Sequence, residues 1–218
     1  MPANVRTQRD ERRRRLGQNF LRPEDAERIV TEADFRPGEL VLEIGSGLGA
    51  ITIPLASRGI DVVAVELDPV WANQLRQRVS RLGRARVRVV EANFLLLPLP
   101  TRTFRVISSV PFSRTTDVLR YLLDEPRVPL RRADLVVQWE VARKRAAMPP
   151  ETLLSTLWTP WWEFRLGRRI PANAFQPVPQ VDGGVLVVIR RDRPLLPPAM
   201  ARSYARFVRA HWPFDEKD

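Results

Sequence analysis

LVLEIGSGLGA, residues 40–50, decides how this chain is read. An apolar run, Leu40 to Ile44 broken only by Glu43, opens directly onto Gly45-x-Gly47-x-Gly49. Such a run suits a strand buried on both faces, as in a parallel sheet. Glycines at alternate positions let the backbone take positive φ and leave no Cβ between main chain and ligand, so a bulky ligand can lie against the turn. The spacing departs from the G-x-G-x-x-G of a dinucleotide site, and the acid ahead of the glycines would repel a pyrophosphate. An acid there suits a cation.

About twenty residues further on, a second apolar run, Val62 to Val65, ends in Glu66, placed to accept hydrogen bonds from two ribose hydroxyls. A glycine turn with a ribose acid implies a nucleoside, against the simpler alternative of a strand-to-helix turn that binds nothing. Adenosine joined to a cationic, amino-acid-like group satisfies both features, and S-adenosylmethionine is such a molecule.

The 218 residues can bury the core of one α/β domain with a small appendage. The net charge of +11 is almost all arginine, Lys144 and Lys217 being the lysines, which points to a polyanionic partner. The alternative is that the arginines and the 20 prolines reflect a compositional bias, with many arginines simply solvated. The chain has no cysteine, which excludes disulfides and thiolate metal sites, and one histidine, His211, reads as a surface residue. No run approaches the ~18 apolar residues of a membrane span, and the basic N-terminus has no apolar segment behind it. The expectation is a cytoplasmic protein, away from membranes.

Residues 1–15 read as a disordered basic arm. The segment from Pro23 is an amphipathic helix with proline and acids at its start. Helices are expected over Gly49 to Ser57, Pro69 to Leu82 and Thr115 to Leu123, with strands at Val87 to Val90, Phe104 to Val110 and Ala133 to Val137. This alternation predicts a doubly wound, Rossmann-like α/β fold. Leu157 to Leu166 and Gly183 to Ile189, joined by a loop over Arg168 to Asp182, read as an antiparallel pair closing the sheet. Residues 16–193 form the expected catalytic domain and 194–218 a short tail with one helix, Ala199 to His211.

In an open parallel sheet, ligands bind at the carboxyl ends of the strands. One such end offers Asn93 and Phe94, an amide and a ring suited to an adenine edge. The next carries Ser109-Val110-Pro111-Phe112, where proline turns the chain, freeing neighbouring carbonyls, and Phe112 projects. A free carbonyl and a stacking ring are what an adenine N6 acceptor needs, placed in line with a methyl donor; the alternative is that Pro111 and Phe112 only cap the core. Arg131, Arg132, Arg143, Lys144, Arg145, Arg168 and Arg169 are candidate phosphate contacts. Trp158, Trp161, Trp162 and Phe164 read as core or sheet-face residues ahead of nucleobase platforms.

Gly17-Gln18-Asn19-Phe20-Leu21 behind a basic arm, Glu43-x-Gly45-x-Gly47, Glu66, Ala92-Asn93-Phe94, Val110-Pro111-Phe112, Gln138-x-Glu140-x-Ala142-Arg143-Lys144 and Phe175-x-Pro177-x-Pro179-x-Val181-Asp182 occur in order. Over roughly Arg15 to Arg191 the chain resembles the rRNA adenine N6-methyltransferases of the erythromycin-resistance type. The resemblance implies an S-adenosylmethionine-dependent methyltransferase fold with a seven-stranded, mostly parallel sheet, a terminal antiparallel strand and a helical tail shorter than the family's helical domain. It implies methylation of one 23S rRNA adenine before ribosome assembly is complete, by a monomer, giving resistance to macrolide, lincosamide and streptogramin B antibiotics.

The resemblance places the methionine end of the cofactor on Asn19 and Gly45, flanked by Leu21 and Gly47. The ribose falls to Glu66 and the adenine to Leu67, Asn93 and Phe94. Ser109, Val110, Pro111 and Phe112 would position the target adenine, with Ser109 also bordering the cofactor and Phe175 a second aromatic near the flipped base. No metal is implied. The family often has aspartate at the position of Asn93 and asparagine at that of Ser109, which shifts acceptor duty toward the Pro111 carbonyl or a bridging water. The alternatives are a noncatalytic rRNA-binding assembly factor of the same fold and a small-subunit rRNA adenine dimethyltransferase.

Overall fold

The computed structural model describes residues 19–83 and 86–213; the arm read at residues 1–15, with Gly17 and Gln18, lies outside them. The described chain runs β1 (Phe20–Leu21), α1 (Pro23–Ala33), β2 (Leu40–Ile44), α2 (Thr52–Ser57), β3 (Asp61–Glu66), α3 (Pro69–Ser80), β4 (Val87–Glu91), β5 (Phe104–Ser109) and α4 (Thr115–Leu123). It continues through β6 (Leu130–Gln138), α5 (Trp139–Ala146), α6 (Leu153–Trp158), β7 (Trp162–Ile170), β8 (Phe175–Gln176), β9 (Gly183–Arg190) and α7 (Ala201–His211).

Seven strands form one sheet in the order β4-β3-β2-β5-β6-β9-β7. The first five pair in parallel, and β9, the last strand of the chain, lies antiparallel to both β6 and β7. The expected closing pair is present, but the antiparallel strand is inserted inside the sheet and β7 holds the edge. The order reverses beside β2, so the carboxyl ends of β2 and β5 flank the crevice where such sheets bind ligands.

Local chemistry sets the helix starts. Pro69 occupies the first turn of α3 and the Asp68 carboxylate accepts from the Val70 N–H at 2.8 Å, an N-cap that satisfies an otherwise orphaned donor. Thr152 caps α6 in the same way through the Ser155 N–H at 3.2 Å. That cap explains a departure from expectation: Leu157 and Trp158 end a helix, and the strand runs from Trp162 to Ile170, so Arg168 and Arg169 lie on β7 rather than in a loop. A continuous apolar run does not by itself distinguish buried helix from buried strand.

Both faces of the sheet are covered. Ile29, Leu55 and Leu75 of α1, α2 and α3 pack on Val41, Val62 and Ala64; Val118, Leu154 and Val208 of α4, α6 and α7 belong to the core on Leu42, Val106 and Leu135. Trp158, Trp161 and Trp162 are buried in this second core. The described tail rests on it too: the Tyr204 hydroxyl donates to the Thr156 carbonyl at 3.1 Å and Trp161 Nε1 to the Leu196 carbonyl at 2.8 Å. Arg105, buried and stacked over Phe35 at 4.0 Å, donates to the Ala33 carbonyl at 2.5 Å and the Asp34 carbonyl at 3.1 Å. A cation on the last carbonyls of α1 is favoured by the helix dipole, and it fixes the helix whose other end borders the site.

Candidate active site

The glycine turn folds as its composition requires. Gly45, Gly47 and Gly49 all take positive φ, at 73°, 52° and 86°. At Gly47 the need is double, because a Cβ there would lie 2.7 Å from the Phe20 ring. Gly45 differs: it is exposed, and the nearest atom to a Cβ would be Pro111 Cδ at 4.0 Å. A side chain at Gly45 would therefore project into the space between the ends of β2 and β5.

That space is a cleft of about 620 Å³, bordered by Asn19, Leu21, Gly45, Gly47, Glu66, Ser109 and Pro111 among others. It unites residues from β1, the glycine turn, β3 and β5. Glu66 is fixed at its base: Oε2 accepts from the Gly47 N–H at 2.7 Å and Oε1 from the Asp68 N–H at 2.8 Å. A carboxylate has about four acceptor sites, so each oxygen keeps capacity for a ligand hydroxyl. Neither the Asn19 amide nor the Ser109 hydroxyl has a side-chain hydrogen bond to other described residues, and both face the cleft. Sequence reasoning missed Ser46, Leu48 and Arg78 as neighbours of the cleft; Arg78 donates to the Leu48 carbonyl at 2.9 Å, bracing the turn from α3. The exposed side of an amphipathic helix gives no local signal of such a reach.

On the acceptor side, Val110 is buried and its N–H donates to the Val136 carbonyl at 3.1 Å, holding the end of β5 to β6. Pro111 turns the chain and Phe112 starts a single turn of 3-10 helix, its ring half-buried. The Pro111 carbonyl, expected to be free, accepts from the Arg114 N–H at 2.7 Å, which leaves it one further acceptor site. The Ser109 hydroxyl is an unengaged side-chain acceptor at this strand end.

The other predicted residues sit elsewhere. Leu67 is 54% exposed at the end of β3. Asn93 caps a 3-10 turn, its Oδ1 accepting from the Leu95 N–H at 3.2 Å, and Phe94 packs edge to face on Tyr121 at 5.5 Å. Neither borders the cleft in this conformation. Phe175 is 1% exposed, pairs in β8 with Leu21 of β1, and lies edge to face under Phe112 at 5.9 Å. It supports Phe112 instead of facing a base directly. Arg145 is likewise corrected: it is buried, with Nη1 donating to Thr152 Oγ1 at 2.5 Å, while Arg143 and Lys144 are exposed.

Two acids meet at the base of the cleft. Burial raises the Glu43 carboxyl to about 8 from 4.5, against the stabilising Thr52 hydroxyl at 2.5 Å and with help from the Glu66 charge. Burial also raises Glu66, opposed by the Asp68 and Gly47 N–H groups. Glu43 is therefore protonated near neutrality, which revises its reading as a fixed counter-charge. A carboxyl that keeps its proton in the folded chain up to about 8 but loses it near 4.5 when unfolded makes stability fall as pH rises between those values, by roughly 1.4 kcal/mol per unit. Glu43→Gln mimics the protonated acid and should remove this slope. Urea unfolding at about pH 5 and about pH 8 should show the variant gaining on the native chain at the higher pH; parallel curves would refute the assignment.

Known proteins share this fold and much of this sequence. The family model described as ribosomal RNA adenine dimethylase matches residues 9–213. The chain belongs to that family. It is 38% identical to an rRNA adenine N-6-methyltransferase of Corynebacterium diphtheriae, over 88% of this chain and 74% of that one. It is 42% identical to the mycinamicin-resistance protein MyrB of Micromonospora griseorubida, over 90% of this chain and 62% of that protein. The crystal structure of the 23S rRNA methyltransferase ErmE superposes with a TM-score of 0.76 at 32% identity, covering 88% of this chain and 78% of that one. The fold is that of S-adenosylmethionine-dependent methyltransferases. Among the described residues no helix is long and apolar enough to cross a membrane, and no group of three or more His, Asp or Glu is placed to hold a metal ion.

Proposed function

We propose that the chain transfers a methyl group from S-adenosylmethionine to N6 of an adenine in 23S rRNA, conferring macrolide, lincosamide and streptogramin B resistance from the cytoplasm. One observation carries this reading: a glycine turn with a fixed carboxylate and the end of β5, through Ser109 and Pro111, open onto a single cleft, with Gly45 facing Pro111. The residues fit the cofactor. Glu66 has acceptor capacity for a ribose, Gly45 leaves room for a close backbone approach, and Asn19 offers an amino-acid end an amide that has no side-chain hydrogen bond to other described residues. When bound, S-adenosylmethionine supplies an electrophilic methyl on a sulfonium.

The chain's part is positioning. Phe112 stacks the extruded adenine, while Ser109 Oγ accepts from its amine and directs the nitrogen lone pair into the cleft. The amine attacks as a neutral nucleophile and sheds its proton afterwards, so no strong base is needed ahead of the attack. The surplus of arginine holds the RNA backbone, which makes binding strongly salt-sensitive. The relatives named above support the rRNA substrate. Incubation with labelled S-adenosylmethionine and protein-free 23S or 16S rRNA, followed by mapping of the modified adenine, tests the reading. Label confined to 16S rRNA would move the target to the small subunit, and cofactor binding without transfer to either RNA would make the chain an RNA-binding factor.

A further inference from the structure

Beyond the cleft, the carboxyl end of the sheet carries a second aromatic and cationic cluster that the transfer described above does not use. Trp139 opens α5 directly after Gln138, the last residue of β6. Its ring lies over β9, where a Cβ at Gly184 would come within 2.6 Å of it. The neighbouring Gly183 faces the opposite side and admits the Phe175 ring, which a Cβ would approach to 2.8 Å. Phe112 and Phe175 thus lie on one face of the sheet and Trp139 on the other, at adjacent positions of β9.

Arg169 completes the cluster. Its guanidinium lies over the Trp139 ring, 5.5 Å from the centroid, and its Nε donates to Asp182 Oδ2 at 2.8 Å. Asp182 also accepts from the Ala172 N–H at 2.8 Å, and its carbonyl accepts from the Trp139 N–H at 2.9 Å. Asp182 therefore holds the guanidinium of Arg169 and the backbone of Trp139. Neither plane is closed off from water: Trp139 is half-buried and the Arg169 side chain 61% exposed. Arg143 and Lys144 follow on α5 and are exposed, Arg143 pairing with Glu140 at 3.1 Å, while Arg168, the neighbour of Arg169 on β7, is tied to Glu32 of α1 at 2.8 Å.

An indole and a guanidinium plane that both reach solvent, on a helix that carries the exposed Arg143 and Lys144, suit an unpaired nucleobase and its phosphate. The Val110 N–H bond to Val136 ties the acceptor strand end to the strand that Trp139 follows. Resting on the proposed RNA substrate, we infer that Trp139 and Arg169 form a second nucleobase platform, which holds an unpaired nucleotide flanking the target adenine. A solvated cap over Gly184 is the competing role for Trp139.

Trp139→Leu and Trp139→Phe separate the two roles, assayed on a 23S rRNA hairpin for binding by fluorescence anisotropy, for transfer and for thermal melting. Stacking predicts that W139L weakens RNA binding and raises the RNA KM about tenfold, while W139F stays within about threefold and cofactor affinity is unchanged. An abasic site at the flanking nucleotide should erase the difference between native chain and W139L. Equal RNA affinity for W139L and the native chain would overturn the inference. So would equal losses in both variants that track a lowered melting temperature. If the native chain transfers no methyl to RNA, the functional reading fails, and the anisotropy series still decides the platform.

Discussion

Glu66→Gln is expected to weaken S-adenosylmethionine binding about 100-fold and to destabilise the fold by about 2 kcal/mol, although the two side chains are nearly the same size. Both carboxylate oxygens accept backbone N–H groups, from Gly47 at 2.7 Å and Asp68 at 2.8 Å. Glutamine has one acceptor oxygen, so its amide must point two donors at one of those N–H groups. The Gly47 side is the more damaging place for that conflict, since Gly47 is held at positive φ against the Phe20 ring and cannot shift without moving the turn. A ribose would then lose an acceptor as well as the turn geometry. Calorimetric titration of the cofactor and a thermal melt read the two effects; an affinity within threefold of the native chain would show that Glu66 only braces the turn.

The contrast with Glu43→Gln is instructive. Glu43 and Glu66 are both buried acids at the base of one cleft, yet the isosteric amide should be harmless or helpful at one and damaging at the other. Glu43 is held protonated by burial and meets a hydroxyl that can donate or accept, whereas Glu66 meets two backbone donors that demand oxygens.

What the sequence revealed, and what it concealed, follows the same division between local and long-range causes. The strand Leu40 to Ile44, the glycine turn, Glu66 and the break at Pro111 were legible because backbone constraints are written in the residues that obey them. Phe175 was read as an aromatic near the base, but its place under Phe112 depends on β1 and β8 pairing through Leu21 and on Gly183 lacking a side chain. Asn93 was read as a ligand residue; the sequence did not reveal that its Oδ1 also caps the following 3-10 turn. Trp139 passed as a spacer within Gln138-x-Glu140, since nothing local indicates that Gly184 and Arg169 approach its ring. Arg145 was a candidate phosphate contact, but Thr152, at the start of α6, receives it in the interior.

Phe112→Ala should lower methyl transfer by about 100-fold or more while leaving cofactor affinity within about twofold. Base–aromatic stacking contributes roughly 1–3 kcal/mol per base, and a misplacement of about 1 Å at the reacting atoms costs a further factor near 10². The structure gives both losses one cause. The Phe112 ring rests at 72° on Phe175, which is buried and confined by Gly183, so the adenine would stack on a ring that cannot retreat. The ring itself does not border the cofactor cleft, which is why the two measurements should separate. Phe112→Tyr should retain most activity, and Phe112→Leu should fall between, because an aliphatic side chain fills space without presenting a flat face. With 2-aminopurine as the target base, fluorescence should rise on binding and be quenched again where the base stacks; Phe112→Ala should keep the rise and lose the quench. If cofactor affinity and transfer fall together, Phe112 is a cap on the core and the acceptor base is held by other groups.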